Sequence, residues 1–338
     1  MSRWRTLRFE FQAMASACSV QIDGRDERVM RKAAAEAISE VHRIESKFSR
    51  YLEGSVVSRI NRNAGLDLIE VDPETNGLLD FAAQLWTLSS GLFDITSGVL
   101  RRAWDFKKAL VPKVDELQTL LNLVDWKRVE RHGNKVRLST PGMQLDFGGF
   151  GKEYAADRAA AVLLHHGIEH ALINLGGDLH ALGARGLPGQ EGEPWQIEIQ
   201  YPRPKPSQPL ESIALLPLAR GGLATSGDYE RFFIKDGLRY CHILNPQTGW
   251  PVTHWQSVSV VAANSTAAGA LSTIAMLKGP DALPWLGTQN APYLAIAQDG
   301  QVMRSSAAGE PRPAAPISSR PPPGRRVFKR TATFALSV

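Results

Sequence analysis

The chain has 338 residues, 43% hydrophobic and 22% charged, which is typical of a globular protein with one large domain or two. No run approaches the ~20 consecutive apolar residues that a membrane-spanning helix needs, which excludes an obvious spanning segment. The only two cysteines, Cys18 and Cys241, exclude both a disulfide framework and a cysteine-rich zinc site.

The formal net charge of +5 is concentrated at the carboxyl end of the chain. Residues 310–338 contain six Lys or Arg residues and one Glu, so residues 1–309 are electrically balanced. This distribution argues against a nucleic-acid-binding surface on the folded part. We predict a folded domain over residues 1–309 and a Pro-rich basic tail over residues 310–338. A nucleic-acid-binding protein recruited by that tail is the least favoured interpretation of the chain.

The N-terminal residues are charged and strand-like, and they contain no apolar signal-peptide core. We therefore expect a cytoplasmic protein. Residues 5–13 and 17–23 are predicted as two strands with a turn near Ala15 and Ser16. Apolar residues at spacings of three and four, from Met30 to Phe48, then predict one buried face of a long helix.

The middle of the chain contains clear start and turn signals. Asp72 followed by Pro73 is a strong helix N-terminus, and the helix is predicted to end near Gly91. Alternation around Gly133 and Asn134 predicts a hairpin over residues 126–138. The glycines of residues 148–151 are followed by a predicted helix over 152–166, and such a loop at a helix N-terminus can bind an anion.

Residues 221–249 contain the main chemical candidate of the C-terminal half. The small polar run 224–227 is expected to be flexible enough to approach a ligand closely. Asp236 and Gly237 predict a tight hairpin turn, and the strand after it contains His242. An imidazole at a strand end beside a polar turn can act as a general base near neutral pH. From residue types alone, a half-buried histidine with a backbone partner is the preferred alternative.

Four separated blocks, in order, resemble the ApbE family, the FAD:protein FMN transferases. They are GLFDITSG (91–98), LDFGGFGKEYAADR (145–158), ALINLGGD (171–178), and ATSGDYERFF followed by HILNPQTGWP (224–251). The second block resembles the family pattern D-L-G-G-x-A-K-G-Y-A-x-D-R. The resemblance covers roughly residues 8–306 and implies an α+β fold. It further implies two interleaved α/β subdomains, mixed or antiparallel sheets flanked by helices, and an FAD cleft between the subdomains.

The resemblance also implies an activity. A Thr or Ser hydroxyl of an acceptor flavoprotein would attack the FMN-side phosphorus of FAD and release AMP, with magnesium assisting and His242 as the base. The metal ligands would be the backbone carbonyl of Gly151 and the side chain of Thr273. The residues expected to bind FAD are Met14, Tyr51, Asp94, Thr96, Gly149, Lys152, Asp157, Asn174, Gly176, Gly177, Asp178, Thr225, Ser226 and Asp228.

Two positions depart from the family pattern beside the expected metal. Gly269 stands where the family has a metal-ligating aspartate four residues before the threonine, and Glu153 replaces a family glycine. Loss of a ligating carboxylate should weaken magnesium binding. Carboxylates of other residues, such as Glu153 or Asp178, could compensate. The alternatives are therefore an FAD-binding protein with little or no transferase activity, or an FAD pyrophosphatase that releases FMN and AMP.

Overall fold

The computed structural model describes residues 3–203, 212–305 and 311–313. The helices are α1 (Glu27–Phe48), α2 (Val56–Arg62), α3 (Pro73–Leu88), α4 (Val114–Leu121), α5 (Gly151–His165), α6 (Ser265–Lys278) and α7 (Ala282–Thr288). The strands are β1 (Arg5–Ala13), β2 (Ser16–Gly24), β3 (Ile69–Glu70), β4 (Val129–His132), β5 (Lys135–Leu138), β6 (Ala171–Leu175), β7 (Asp178–Ala181), β8 (Trp195–Gln200), β9 (Ser212–Leu218), β10 (Gly221–Gly227), β11 (Phe232–Lys235), β12 (Leu238–Cys241), β13 (Trp255–Ala262), β14 (Tyr293–Ala297), β15 (Val302–Ser305) and β16 (Pro311–Pro313). Short 3₁₀ segments span Ile95–Arg102, Trp126–Arg128 and Gly279–Asp281.

A nine-stranded sheet organises the described part of the chain, in the order β1-β2-β6-β7-β10-β13-β14-β15-β16. Neighbouring strands run antiparallel throughout this sheet. Three smaller sheets, β3-β5-β4, β8-β9 and β11-β12, are antiparallel as well. The expected α+β class is confirmed, and its sheets are antiparallel rather than mixed.

The two faces of the central sheet are covered differently. Helices α1, α5 and α6 pack on one face, and Ile173 of β6 joins the main core there. Its neighbour Leu172 points to the opposite face, because successive strand residues alternate. That second face is covered by β8 and β9 through Trp195 and Ile197. The sheet is thus enclosed on both sides.

The helix boundaries follow from local chemistry. The Asp26 carboxylate accepts hydrogen bonds from the backbone N–H groups of Arg28 and Val29 and so caps α1. Asp72 caps α3 in the same way, with Pro73 at the first helical position. In α1 the buried residues run from Met30 to Phe48 on one face, as the apolar spacing predicts.

Tight turns join three hairpins that border the site. Met14 and Ala15 both adopt positive φ, at 52° and 57°, which matches the two central positions of a type I′ turn. Gly176 and Gly177 do the same between β6 and β7, at 63° and 98°. Asp236, at 51°, and its neighbouring glycine form the predicted turn between β11 and β12.

The segment expected to be a flexible polar run is a central strand instead. Residues 224–227 lie in β10, paired with β13 on one side, and β10 also pairs with β7. Small residues are required here by packing: a Cβ on Gly222 would lie 2.2 Å from the backbone nitrogen of Ser265 at the start of α6. The small side chains therefore allow a helix to lie directly against the strand.

The C-terminal end of the described chain extends the sheet. β16, at residues 311–313, pairs with β15, so strand pairing continues past residue 309. The rest of the predicted tail, residues 314–338, lies outside the described residues. Among the helices that the structure describes, none has the length and apolar character needed to cross a bilayer. The expected cytoplasmic location stays a prediction.

Candidate active site

A cleft of about 1200 Å³ opens along one side of the molecule. Its walls come from the β1–β2 turn, the 3₁₀ segment after Asp94, the start of α5, the β6–β7 turn, β8, β10, and the residues around His242. The residues expected to bind FAD that line this cleft are Tyr51, Asp94, Gly149, Lys152, Asn174, Gly176, Gly177, Asp178, Thr225 and Ser226. His242 and Thr273 line it too.

An ion pair between a half-buried lysine and a buried aspartate lies at the start of α5. The Lys152 Nζ is 2.8 Å from an Asp178 carboxylate oxygen. Burial works against the Lys152 charge, but the carboxylates of Asp178 and Glu153 outweigh it and raise the lysine pKa. The ammonium group is therefore charged. Since no side chain caps the N-terminus of α5, this end of the cleft offers both a cation and free N–H groups to an anion.

Glu153 is the next residue along α5 and only 7% exposed. Its Oε2 atom is buried and has no hydrogen-bond partner within the described chain. Burial raises the pKa of this carboxyl well above its ordinary value, and the nearby Asp178 carboxylate adds to the effect. An unpartnered buried carboxylate oxygen costs free energy, so this atom is an unfilled position for a donor or a cation.

Gly269 of α6 leaves the space that Glu153 fills. A Cβ built on Gly269 would lie 2.5 Å from both Cγ and Oε1 of Glu153. The two departures from the family pattern are thus in direct contact across the α5–α6 interface. A residue larger than glycine at position 269 and a glutamate at position 153 compete for the same volume.

Hydroxyl groups continue the polar wall from Gly269 to the cleft. Ser272 Oγ donates to the Gly269 carbonyl at 3.0 Å. Ser226 Oγ lies 2.8 Å from Ser272 Oγ and 3.1 Å from Thr273 Oγ1. Thr225 Oγ1 lies 2.7 Å from Ser259 Oγ on β13. Strand β10 and helix α6 therefore bring Ser226 and Thr273 together, one helical turn from the Glu153 carboxylate.

His242 follows β12 rather than lying within it. Its backbone N–H donates to the Arg231 carbonyl, and its Nδ1 is buried without a partner among the described residues. Burial, together with the charges of Arg101 and Arg231, lowers the pKa of His242 to about 3. The imidazole is therefore neutral at physiological pH. It can accept a proton once a ligand's negative charge offsets those cations.

An aromatic cluster holds the hairpin that precedes His242. Trp104 Nε1 donates to the Gly249 carbonyl at 2.9 Å, and the indole packs against Phe233 and Tyr240 of the hairpin. These contacts belong to a small core separate from the main one. They fix the hairpin, and hence His242, against the segment that follows Asp94.

The residues at the mouth and turns of the cleft are accessible to a ligand. Tyr51 is 76% exposed, with the Arg50 guanidinium 5.6 Å from the ring centre. Asn174 Oδ1 accepts from the Gly177 N–H at 2.8 Å and so shapes the β6–β7 turn. A Cβ on Gly149 would lie 2.7 Å from the Phe93 ring, so only glycine lets this loop pass.

Asp94 and Thr96 bind each other. The Thr96 hydroxyl donates to the Asp94 carboxylate at 2.6 Å and accepts from the Asp125 N–H. Asp94 also accepts from the Trp126 N–H. Asp94 reaches the cleft wall, whereas Thr96 is fully buried. The pair holds the FDIT segment in shape.

Asp157 and Asp228 are engaged elsewhere. Asp157 accepts from the backbone N–H groups of Ser265 and Thr266 at 2.8 and 2.9 Å, and lies 2.6 Å from His180 Nδ1. Asp228 accepts two hydrogen bonds from Arg203, both at 2.6 Å. Neither aspartate is among the described residues that line the cleft. Met14, Thr96 and Gly151 are not among them either. Gly151 nevertheless opens α5, directly before Lys152.

Three features of the cleft are not predicted by the sequence motifs. Arg101 and Arg231 bring positive charge to the wall near His242. Strand β8, with the sequence WQIEIQ, lines the cleft over residues 195–200. Its strict buried–exposed alternation was a readable strand signal. The two arginines have no signal in the sequence that separates them from surface arginines.

Within residues 3–203, 212–305 and 311–313, no group of three or more His, Cys, Asp or Glu residues could hold a metal ion. This fits magnesium, which commonly uses one or two carboxylates and completes its coordination with water and substrate phosphates. The donors here are oxygen atoms, including the unpartnered Glu153 carboxylate oxygen and the Thr273 hydroxyl.

Comparison with known proteins agrees with the geometry. A model described as "ApbE family" matches residues 14–296. The FAD:protein FMN transferase of Treponema pallidum is 32% identical over 282 residues, covering 79% of this chain and 77% of that protein. The protein of the same name from Haemophilus influenzae is 29% identical over 279 residues, covering 78% and 79%.

A solved structure of an ApbE protein from Thermotoga maritima superposes with a TM-score of 0.81 at 31% identity, covering 89% of this chain and 97% of that one. The flavin transferase ApbE from Vibrio cholerae gives a TM-score of 0.79 at 24% identity, covering 90% and 98%, and supports the fold alone. Since the family match spans most of the chain and a relative above 30% identity covers over three quarters of it, the chain belongs to the ApbE family.

Proposed function

We propose that this protein is an FAD:protein FMN transferase, which moves FMN from FAD to a Thr or Ser hydroxyl of an acceptor flavoprotein and releases AMP. The observation that carries this proposal is a cleft with a half-buried ammonium group at a helix N-terminus and a neutral imidazole on its wall. The cleft volume exceeds the ~300–1,000 Å³ typical of drug-sized ligands, as a dinucleotide requires.

The phosphate-binding end of the proposed site is the start of α5. Lys152 and the uncapped N–H groups would hold the pyrophosphate of FAD. Tyr51 offers an exposed aromatic face on which the flavin ring can stack. Magnesium would be held by Thr273, the Gly151 carbonyl and phosphate oxygens of FAD, and it would neutralise pyrophosphate charge.

The proposed reaction exchanges the phosphoanhydride bond between the two phosphates of FAD for a phosphoester bond to the acceptor. The acceptor hydroxyl oxygen attacks the FMN-side phosphorus, the bond from that phosphorus to the AMP oxygen breaks, and AMP leaves with the electron pair. His242 accepts the hydroxyl proton. Its imidazole is held neutral by burial and by Arg101 and Arg231. The pyrophosphate would offset those positive charges and so make His242 more basic when FAD is bound.

The test incubates the purified protein with FAD and magnesium, with and without an acceptor domain that carries a Thr/Ser flavinylation site. AMP is followed by chromatography and protein-bound flavin by in-gel fluorescence. Magnesium-dependent flavin on the acceptor with matching AMP release is the expected result. FMN and AMP without labelled acceptor would indicate a pyrophosphatase, and unchanged bound FAD would indicate a binding protein.

His242→Ala should lower the transfer rate by about 10²–10⁴-fold, the usual contribution of a general base, while FAD affinity stays within a few-fold. His132→Ala is the matched control, because His132 ends β4 on the surface away from the cleft. Its transfer rate should equal that of the wild type. Parallel loss of FAD binding and transfer in His242→Ala would contradict the base assignment and indicate a structural histidine.

A further inference from the structure

One carboxylate oxygen of Glu153 has no partner in the cleft. This atom, Oε2, is buried without a hydrogen bond within the described chain. The adjacent lysine, Lys152, acts on Glu153 through its charge, but its ammonium group is paired with Asp178 at 2.8 Å. A buried carboxylate oxygen without a hydrogen bond is expected to be costly unless a ligand completes it.

The surroundings of this carboxylate favour a hard cation. The carboxylates of Asp178 and Asp157 lie near Glu153, and the Lys152 ammonium is close as well. On α6, Thr273 lies one helical turn after Gly269, and its hydroxyl is 3.1 Å from that of Ser226. Glu153 also lines the cleft, and so do Ser226 and Thr273. Carboxylate and hydroxyl oxygens suit magnesium and manganese(II) rather than softer metals.

The glycine at position 269 makes room for the Glu153 carboxylate between α5 and α6. The space beside Gly269 holds the Cγ and Oε1 of Glu153, each 2.5 Å from where a Cβ would be. Helix α6 therefore has no side chain at Gly269, one turn before Thr273. The carboxylate in that space comes from Glu153 of helix α5. The sequence predicts the loss of a metal ligand at position 269. The packing favours a replacement of that ligand by a carboxylate from α5.

We propose that Glu153 is a ligand of the divalent cation in this protein, taking the place of a side chain at position 269 and acting together with Thr273. This inference deepens the proposed function, on which the requirement for magnesium rests. It names a residue of α5 as the carboxylate that binds the metal, and it makes the glycine at position 269 a condition of that binding.

The test measures metal binding directly. Free Mn²⁺ is followed by its electron paramagnetic resonance signal as the purified protein is added, with and without ADP as a source of phosphate oxygens. The wild type should bind one Mn²⁺, more tightly with ADP. Glu153→Gln keeps the side-chain shape, and should weaken binding by at least ~10-fold, since even groups that only orient a ligand contribute about 10–100-fold.

A matched control removes the same charge from the same region. Glu74→Gln is suitable because Glu74 accepts a hydrogen bond from Tyr154, the neighbour of Glu153 on α5, and lies outside the cleft wall. Its Mn²⁺ affinity should equal that of the wild type. Equal weakening in both variants would overturn the proposal, because it would show a general charge effect.

The decisive variant moves the carboxylate back to α6. The double substitution E153G/G269D should bind Mn²⁺ within a few-fold of the wild type, whereas E153G alone should not. Circular dichroism melting confirms that each variant is folded. Wild-type protein that binds no Mn²⁺ with ADP, or Glu153→Gln that binds it normally, would overturn the inference. Failure of flavin transfer alongside Glu153-dependent binding would overturn only the proposed function.

Discussion

At the scale of single residues, the charge state of His242 sets what the cleft can do. Burial and two arginines hold the imidazole neutral, with a pKa near 3. A base must be unprotonated to accept a proton, and His242, the proposed base, is unprotonated across the physiological pH range. Basicity then depends on the ligand, because bound phosphate groups cancel the positive charge that suppresses it.

This state has a measurable effect on stability. An unfolded histidine has a pKa of 6.5, against about 3 in the folded protein. Between these values the unfolded chain binds a proton that the folded protein does not, so His242 lowers the free energy of unfolding as pH falls below 6.5. At pH 4.5, this decrease in the free energy of unfolding should be roughly 1–2 kcal/mol smaller in His242→Gln than in the wild type, after allowance for solvent screening.

Urea denaturation at pH 7.5 and 4.5 measures the effect. The drop in unfolding free energy between the two pH values should be smaller in His242→Gln than in the wild type. His132→Gln serves as the surface control and should show the wild-type drop. An identical drop in all three proteins would mean that His242 is protonated in the folded state.

The resemblance to the family motifs predicted the cleft lining only in part. Lys152, Asp178 and His242 do line one cleft, although from residue types alone His242 was expected to be a half-buried histidine with a backbone partner. Asp157 and Asp228 match the same motifs, yet each is saturated by hydrogen bonds elsewhere. A carboxylate that caps a helix cannot be separated in sequence from one that contacts a ligand.

At the scale of elements, Asp157 joins two helices. It projects from α5 and accepts hydrogen bonds from the first N–H groups of α6, while His180 of β7 contacts the same carboxylate. Asp157→Ala should therefore lower the unfolding free energy by about 2–3 kcal/mol, from a lost cap and lost charge-assisted hydrogen bonds.

Urea unfolding of Asp157→Ala, with FAD affinity measured on the folded variant, separates structure from binding. The expected outcome is lower stability with FAD affinity within a few-fold of the wild type. Unchanged stability together with a large loss of FAD affinity would instead assign Asp157 to the ligand, as the sequence motif alone suggests.

The elements with strong periodicity were predictable, and the small-residue strand was not. Helices α1 and α3 and the β1–β2 hairpin agree with the sequence within about three residues, because apolar spacing and Asp caps are local signals. β10 was missed because glycine and alanine, which make up four of its seven residues, have little strand preference. Its conformation is imposed by pairing with β7 and β13 and by close contact with α6, which no local pattern contains.

At the scale of the whole molecule, the described lining of the cleft ends well before the basic tail. Every described residue that lines it precedes residue 278, and the family match ends at residue 296. Deletion of residues 314–338 should leave flavin transfer to the acceptor domain unchanged. The same assay, with a salt titration of DNA binding by the two forms, checks this. Loss of transfer on deletion would show that the tail helps to present the acceptor.

The position of β2 within the sheet has a consequence for biosynthesis. β2 pairs with β1 immediately, but its other edge pairs with β6, which begins at residue 171. At roughly 5–20 residues synthesised per second, that edge stays open on the ribosome for about 7–30 s. An open strand edge is a template for association with other chains. The β1–β2 hairpin is thus expected to need protection by chaperones until β6 has been synthesised.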